Sequence, residues 1–581
     1  MTRQGGIPGP SDRAGLSGKA PVGVFAAAGL IAAVTLAARV FGFGRSLVFS
    51  HSVGATCVGS VYQAANQLPN VVFEIAAGGA LAAVVVPIVA GQLARSNGQP
   101  GESSEEAVRT ASAMLTWTVA VLVPLSILMA ISARPLSAVM LPDKTCAGSA
   151  DLMASMLVVF APQIALYGVG IVLAGVLQAH RRFLWVVLAP LMSSLVVMAA
   201  YLLFAGLAQG KGNDLEQLPG QASMALAAGT TLGVAVLTLS LLVPVHRAGI
   251  RLRPTWTFPD GVARRAGSLA GAGLLALVAQ QAAVLATLWV SQHRGGTGTL
   301  NVYVYVQAIY LLPYAVLAVP FAMSALPALA TGLDQAVLSA GPDQVRLATA
   351  ADQVSLARAQ STLASSARAI IVATSAGAAV LFAIARPTGV FFSALDAGSN
   401  GAGGVALAAL PAALSAFAPG LVGFGMAALL SRALYVQGSP AVAGALVAAG
   451  WLIAALVPLL VLQPDAGPRS TLLALGLASS LGMTMAAIGL LVAVRRAWGG
   501  KAFRGLGRSA VVGLGAGAFS AAVGRGLAWA MDPAGVVAAA ALAALVAIVV
   551  VTVFALGIWV GDRGSARLAL ARLPVVGRRL R

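Results

Sequence analysis

The stretch AARVFGFGRSLVFS at residues 37–50 lies in the first long apolar run of the chain and carries two arginines, Arg39 and Arg45. An arginine on a lone helix at the centre of a lipid bilayer costs roughly 2.5–3.5 kcal/mol on insertion scales. Whether this run crosses a membrane therefore decides both the fold class and the meaning of the two arginines.

The composition is typical of a polytopic membrane protein. Hydrophobic residues make up 59% of the 581 residues and charged residues only 9%, whereas soluble domains carry about 25% charged residues. Apolar runs long enough to cross a ~30 Å hydrocarbon core recur along the whole chain. We expect an all-α protein with about fourteen transmembrane helices, at 22–50, 58–93, 107–132, 150–178, 183–208, 221–245, 266–291, 299–330, 366–385, 404–436, 439–462, 471–494, 509–530 and 534–561.

The distribution of basic residues predicts the orientation. Of the 36 Lys and Arg residues, 27 fall in both termini and the alternate connections between helices, and seven fall in the remaining connections. Because cytoplasmic segments are enriched in Lys and Arg, we expect both termini to be cytoplasmic. The net charge of +19 is then chiefly an insertion signal that also attracts anionic inner-leaflet lipid. Nucleic-acid binding is the poorer interpretation.

Repeated motifs divide the chain into two halves. An Ala-Pro followed by a glycine and a leucine at fixed spacing occurs at 161–177 and again at 418–434, and QLPN at 67–70 is matched by LLPY at 311–314. Helix 2 then corresponds to helix 8, and helix 4 to helix 10. This predicts two six-helix lobes in the same orientation around a central cavity, related by an axis along the membrane normal. Two further helices follow.

This division predicts seven segments. A Gly/Pro-rich N-terminus is expected to be disordered, and the polar linker between the halves fits either a helix lying on the membrane surface or a solvated connection. The segments are the cytoplasmic N-terminus (1–21), the N-lobe (22–247), the start of the C-lobe (248–332), the linker (333–365), the rest of the C-lobe (366–494), the two extra helices (495–561) and a basic cytoplasmic tail (562–581).

Polar side chains mark one face of helix 2. Gln63, Gln67, Asn70 and Glu74 are spaced by four, three and four residues, which keeps them on one side of a helix, and Asn66 lies beside them. Glu74 is the only acidic residue deep in a predicted span, and it favours a substrate path over a polar packing seam.

Helix 8 repeats this spacing without a charge. Tyr303, Gln307, Tyr310 and Tyr314 stand at the corresponding intervals. A packing seam and a substrate path both remain open for this helix.

The two arginines of the first helix predict an anionic substrate. Arg39 and Glu74 both fall near mid-membrane, and we expect them to form an ion pair when the cavity is empty. Guanidinium groups prefer phosphate and carboxylate partners. A structural ion pair is the alternative, and so is a side chain that reaches the outer interface in the case of Arg45.

Four segments resemble the MurJ/MviN lipid II flippases, a family of the multidrug/oligosaccharidyl-lipid/polysaccharide exporter superfamily. They are ARVFGFGRS (38–46), QLPNVVFEIAAGGALAAVVVPIVA (67–90), YVQAIYLLPYAVLAVPFAMSALPALAT (305–331) and FAPGLVGFGMAALLSRALYVQGSP (417–440). The resemblance implies a bacterial plasma-membrane protein of peptidoglycan synthesis and cell shape. It would move undecaprenyl-pyrophosphate-linked disaccharide-pentapeptide from the inner to the outer leaflet by alternating access.

The resemblance also assigns roles. Arg39 and Arg45 match the first-helix arginines that hold the pyrophosphate in the family, and helices 13 and 14 would form a groove for the lipid tail. Other charged family positions are lost. Ser60, Phe73 and Gly78 replace an acidic residue, an arginine and an acidic residue, Glu74 replaces a second arginine, and an Asp-Arg pair of helix 8 falls on Gln307 and Ala308. Such losses are similar to the high-GC Gram-positive branch of the family. Some members of that branch carry a cytoplasmic pseudokinase-like extension, which we do not expect here.

Two other functions stay open. One is a cation-coupled multidrug exporter that uses Glu74 as its coupling carboxylate, and the other is a transport-inactive scaffold for cell-wall or division proteins. No nucleophile, phosphate-loop or metal-ligand spacing predicts an enzyme. We expect no cofactor, coupling to the membrane potential, Na⁺ or H⁺, a lipid-linked anionic substrate, contact with membrane lipids, and a monomer.

The only two cysteines are predicted in outer loops. Cys57 falls in the first outer loop and Cys146 in the second, on the oxidising side of the membrane, where disulfides persist. A shared side fixes no distance, so a disulfide and two unpaired thiols both remain open.

Overall fold

A computed structural model of the chain describes residues 40–95, 102–142, 146–259, 262–323, 325, 329, 350–562 and 564. Every regular element in these residues is helical, as the sequence predicts. Four expectations lie wholly or partly outside the described residues. They concern the N-terminus 1–21, Arg39, the part of the linker before residue 350, and nearly all of the basic tail.

Twelve helices of the described residues are long and apolar enough to cross a membrane. We name them α3 to α14 in chain order. They are Glu105–Ile131, Ser149–Ala179, Phe183–Ala208, Gly220–Arg247, Gly273–Gly295, Thr299–Met323, Leu356–Ala383, Leu410–Val436, Pro440–Val461, Gly467–Trp498, Gly500–Ala530 and Gly535–Gly561.

Two helical elements precede these twelve. The described part of α1 covers residues 40–52, and α2 runs through Cys57–Phe73, Glu74–Gly78 and Gly79–Arg95. The total of fourteen spans remains a prediction, because the first predicted span lies largely outside the described residues. The helix that contains α9 begins at Ala350, so residues 350–365 of the predicted linker extend that helix.

The repeat seen in the sequence coincides with matching interruptions of the helices. In α2 a π-helical turn, Glu74–Gly78, follows Pro69, and in α8 a π-helical turn, Tyr314–Ala318, follows Pro313. A proline removes one helical hydrogen bond and crowds the turn before it, so each π-turn lies after the turn that its proline disturbs.

The second repeated motif shows the same correspondence. The Ala-Pro at 161–162 separates the two parts of α4, Ser149–Phe160 and Gln163–Ala179. The Ala-Pro at 418–419 separates the two parts of α10, Leu410–Phe417 and Gly420–Val436.

Glycines allow close contact between helices inside the C-lobe. A Cβ atom on Gly450 of α11 would lie 2.7 Å from the carbonyl oxygen of Gly482 of α12, so the two backbones touch. Such small-residue contacts substitute for hydrophobic burial between helices in lipid. The last two helices stack on this lobe, with α13 packed between α9 and α14.

Aromatic side chains fill the centre of the largest buried cluster. Phe49 of α1 stacks on Tyr62 of α2 and meets the ring edges of Tyr201 and Tyr305. Tyr305 in turn stacks on Phe392. The cluster joins the N-lobe to the C-lobe near the Cys57–Cys146 pair, and we call this end of the bundle the disulfide end.

Candidate binding cavity

A cavity of about 310 Å³ lies where α2 meets the C-lobe. Its polar lining consists of amides, hydroxyls and an indole, and none of its lining residues is charged. Gln67 is the residue that α2 contributes from the N-lobe. The polar and aromatic lining residues are Gln67, Gln280, Thr287, Tyr303, Gln307, Tyr310, Phe424, Trp451 and Ser479.

Hydrogen bonds and ring packing fix the α8 side of the cavity. The Nε2 atom of Gln307 donates to the hydroxyl of Tyr303 at 2.9 Å. The ring of Tyr310 packs on Phe417 and Phe424 of α10, with centroids 5.6 and 6.4 Å away. Three predicted site residues, Gln67, Gln307 and Tyr310, therefore share one cavity. Their neutral donors and acceptors suit a sugar, a peptide or a phosphate oxygen.

A second polar group lies inside the N-lobe. Arg45 of α1 is exposed, and its charge acts on the hydroxyls of Tyr62, Tyr167 and Tyr201. The Nδ2 atom of Asn70 donates to the Asn66 carbonyl within α2 at 3.3 Å. In the described part of the chain, no carboxylate forms an ion pair with Arg45. Among the described residues, no carboxylate competes with a ligand anion for this guanidinium.

The remaining predicted site residues have different surroundings. Gln63 is buried, and the Oδ1 atom of Asn66 is buried with no hydrogen-bond partner among the described residues. Glu74 is half-buried at the start of the π-turn. Its predicted partner, Arg39, lies outside the described residues, so the Arg39–Glu74 pair remains a prediction.

The structure adds one basic residue, Arg432, to the candidate binding residues. From the sequence, it was counted among the basic residues of the cytoplasmic connections. Arg432 lies within α10, two turns after Phe424 and outside the cavity lining. Its guanidinium donates to the Ala428 carbonyl, and its charge acts on the hydroxyls of Tyr314 and Tyr435. Arg432 lies four residues before the end of α10, so from the sequence it was counted with the basic residues of the following loop. Gln280 and Thr287 of α7 lie seven residues apart on one helix face and line the cavity, but they were not identified from the sequence.

A buried carboxylate joins the lobes at the disulfide end. Asp396 is 4% exposed and accepts hydrogen bonds from the Ser50 hydroxyl at 2.7 Å and the Tyr305 hydroxyl at 2.8 Å. It also accepts from the backbone N–H groups of Ala55 at 2.7 Å and Gly398 at 2.8 Å. We call Asp396 and these four donors the Asp396 lock.

Two further hydrogen bonds connect the lobes beside the lock. The Asn301 side chain donates to the Gly54 carbonyl at 2.7 Å. The Gly298 N–H, at the start of α8, donates to the Ser60 hydroxyl at 2.9 Å. Ser60 is the position at which the family resemblance led us to expect an acidic residue. A neutral hydroxyl here still accepts the helix-terminal N–H.

The two cysteines are bonded in the structure. The Cα atoms of Cys57 and Cys146 are 6.3 Å apart, within the range that a disulfide spans. The bond links the start of α2 to the connection before α4, both in the N-lobe. Formation of this disulfide in the cell remains a prediction.

A helical bundle of this kind, with two repeat-related lobes and a polar cavity where they meet, defines a membrane transporter fold. One similar solved structure is a lipid II flippase MurJ in an inward closed conformation. It has a TM-score of 0.66 and 15% identity, covering 91% of this chain and 98% of that chain. Another is an inward-facing multidrug resistance MATE family transporter, with a TM-score of 0.56 and 14% identity, covering 81% and 98%. At these identities the similarity shows the fold.

The chain belongs to the lipid II flippase MurJ family, whose profile matches residues 49–560. A probable lipid II flippase MurJ of Synechocystis sp. (strain ATCC 27184 / PCC 6803 / Kazusa) is 26% identical over 249 residues. That stretch is 42% of this chain and 44% of the relative, so it spans less than half of the curated protein. The chain is a multi-pass membrane protein.

Proposed function

We propose that this protein moves lipid II, an undecaprenyl-pyrophosphate-linked peptidoglycan precursor, from the inner to the outer leaflet of a bacterial plasma membrane. The observation that carries the proposal is the pairing of two sites across the lobes. A neutral amide and tyrosine cavity lies beside α2, and the Arg45 guanidinium, which forms no ion pair with a described residue, lies near tyrosines of the N-lobe. A phosphate-linked glycopeptide needs both kinds of contact.

The chemistry divides between the two sites. The Arg45 guanidinium would bind the pyrophosphate with paired N–H donors, which an ammonium group cannot supply. Gln67, Gln307 and Tyr310 would bind hydroxyls and amides of the headgroup. Arg432 of α10, near Tyr314 of α8, is a second cation in the C-lobe.

Alternating access requires the lobes to separate at the disulfide end. If that end faces outward, as the distribution of basic residues predicts, the Asp396 lock holds the outer side closed while substrate enters from the cytoplasm. Release then needs the carboxylate to lose its donors from the N-lobe, Ser50 and Ala55. The π-turns of α2 and α8 stand beside the cavity, where a change of helix register would transmit that opening.

Cation-coupled drug export is the second candidate, favoured by the similarity to the MATE fold. Among the described residues no acidic side chain lines the 310 Å³ cavity, so a cationic drug would find no counter-charge there. The exposed Arg45 would also repel a cationic drug. A transport-inactive scaffold for cell-wall or division proteins is the third candidate.

Depletion of the protein followed by complementation tests the three functions. For a flippase, depletion raises undecaprenyl-linked precursor on the cytoplasmic face. The parent gene restores the normal level, whereas the Arg45→Ala gene does not. Arg469→Ala is the matched control, because Arg469 is an exposed arginine outside the cavity. Drug sensitivity without precursor accumulation would favour the exporter. Full growth on the Arg45→Ala gene would favour the scaffold.

We further infer that the protein acts as a monomer, surrounded by membrane lipid and with both termini in the cytoplasm. The family context supports contact with cell-wall synthesis or division proteins. No cofactor enters this proposal, and the energy would come from the membrane potential, Na⁺ or H⁺, with Glu74 as the coupling carboxylate.

A further inference from the structure

Two adjoining cavities form a groove along the C-lobe, separate from the binding cavity. The first, mainly apolar part, about 490 Å³, lies among α9, α10, α12 and α13. The second part, about 630 Å³, continues along α13 and shares Phe382, Ala518 and Ala521 with the first. We call the two parts together the α13 groove. No residue of α14 lines it, although the family resemblance placed a tail groove on helices 13 and 14.

Helices α10 and α12 form a wall between the α13 groove and the binding cavity. Phe424 and Met483 line the binding cavity, whereas their neighbours Gly423 and Thr484 line the groove. A Cβ atom on Gly423 would lie 2.8 Å from the backbone of Met483, so the two helices touch at this level. A molecule in the groove is therefore drawn from the surrounding bilayer rather than from the space between the lobes.

Arg525 lies at the disulfide end of the groove, and its contacts there are with neutral groups. Its guanidinium stands 4.6 Å above the ring of Phe382 and donates to the Ser415 hydroxyl at 3.3 Å. Within the described ranges, no carboxylate forms an ion pair with it. Most of its five N–H donors thus remain available to a ligand.

A neighbouring arginine shows what a structural cation looks like at the same place. Arg386 pairs with Asp532 and donates to three carbonyl oxygens at the end of α13, those of Ala528, Trp529 and Met531. Its charge and donors are used inside the protein. Arg525, by contrast, forms no ion pair with a described residue. It lies about 7.5 Å from the end of α13 at 1.5 Å per residue.

We propose that the α13 groove binds an anionic glycerophospholipid of the bilayer, with its phosphate on Arg525 and an acyl chain in the apolar part. The pairing of an unneutralised guanidinium with a long apolar cleft matches such an amphiphile in charge and in shape. Trp529, which lines the groove one turn from Arg525 and is exposed, suits the headgroup level. The site does not depend on the transported substrate.

Trp529 also provides the readout. The full-length protein is reconstituted in vesicles of brominated phosphatidylglycerol or brominated phosphatidylcholine, whose bromine atoms quench tryptophan fluorescence. The quenching at Trp529 is obtained by subtracting the signal of Trp529→Phe from that of the parent. We expect the anionic lipid to be favoured about fivefold at this residue, the effect of one basic side chain near the surface. Arg525→Gln brings the preference to about one, and Arg469→Gln, which removes an exposed arginine outside the groove, leaves it unchanged.

A second variant tests the groove without changing a charge. Ala518 lines both parts, so Ala518→Phe fills their junction and lowers the quenching of Trp529 by both lipids. Equal quenching by the two lipids in the parent, or an anionic preference that survives Arg525→Gln, overturns the proposal. Displacement of the anionic lipid by inorganic phosphate alone, or by undecaprenyl pyrophosphate at far lower concentration, also overturns it, since the occupant would be free phosphate or the substrate.

Discussion

Arg45 is the cation on which the N-lobe half of the proposed site depends. Replacing Arg45 by alanine removes charge-assisted hydrogen bonds worth about 1.5–3 kcal/mol each, so lipid II binding weakens at least tenfold and flipping is lost. Lysine restores only part of the activity, because a point charge replaces a two-pronged donor. Flipping of fluorescent lipid II in proteoliposomes measures both variants, and Arg39→Ala is expected to match Arg45→Ala.

The control for this experiment establishes that the Arg45→Ala protein is folded and inserted in the membrane. Arg45 is exposed and forms no ion pair with a described residue, so its removal leaves no buried charge unpaired. The thermal midpoint of Arg45→Ala should therefore equal that of the parent. Normal flipping by Arg45→Ala would exclude this residue from the site.

Glu74 carries the coupling hypothesis. Its carboxylate is half-buried at the π-turn of α2, and such a group is costly in a membrane unless a proton or a cation neutralises it. If it couples transport, Glu74→Gln and Glu74→Ala both lose the dependence of flipping on pH or Na⁺ while they still bind lipid II. A Glu74→Gln protein that behaves like the parent at every pH would make the carboxylate structural.

At the scale of single residues, the sequence predicted part of the cavity. The spacing of polar residues on α2 and α8 identified Gln67, Gln307 and Tyr310, because side chains at such intervals share a helix face. It did not identify Gln280 of α7, since the place of that side chain in the cavity depends on how α7 packs against α8. Arg432 was missed because it lies close to the end of its helix, where basic residues commonly belong to a cytoplasmic loop.

At the scale of elements, the Asp396 lock connects the two lobes at the disulfide end. Asp396→Ala leaves the donors of Ser50, Tyr305 and Ala55 without their common acceptor, and each lost bond to a charged group is worth about 1.5–3 kcal/mol. The closed arrangement is then less favoured, and buried residues of the α1–α2 connection become accessible. Ser52, which is 7% exposed, is the reporter.

Labelling of Ser52→Cys by a maleimide measures the opening. We expect slow labelling in the parent and at least tenfold faster labelling with Asp396→Ala. Asp465→Cys, at an exposed position between α11 and α12, should react equally fast in both backgrounds. Equal rates at Ser52→Cys would show that the lock does not hold this end closed.

The disulfide is a separate prediction for the same end. A bond between Cys57 and Cys146 closes a loop of 89 residues, and a loop of that length stabilises a fold by about 4–5 kcal/mol in the chain-entropy model. Alkylation of the denatured protein should add mass only after reduction. Addition of two alkyl groups without reductant would show two free thiols.

Helix positions were predictable, but their interruptions were only partly so. Apolar runs identify a transmembrane helix by length alone, and seven of the twelve described spans agree with the predicted ones within four residues at both ends. The starts of α7, α9, α10 and α13 and the end of α8 differ by six to ten residues. The Ala-Pro and Leu-Pro motifs were visible as repeats. The sequence alone did not show that a π-turn follows Pro69 and Pro313, because the formation of a π-turn depends on how neighbouring helices pack.

For the whole molecule, the internal repeat carried the most information. Matching motifs in the two halves predicted two lobes of the same orientation, and the matching interruptions of α2 and α8, and of α4 and α10, agree with that division. The contact between the lobes was not predictable, since Asp396 meets Ser50 across 346 residues of chain. Neither residue belongs to a motif.

The orientation of the whole molecule is the last prediction, and the proposed direction of transport depends on it. The excess of Lys and Arg in alternate connections places the disulfide end outside. In a variant that lacks both native cysteines, Asp465→Cys should react with a membrane-impermeant maleimide on intact cells. Arg182→Cys, exposed in the connection between α4 and α5, should react only after permeabilisation. The reverse pattern would turn the Asp396 lock into an inner gate, and substrate would then enter from the side on which lipid II is used.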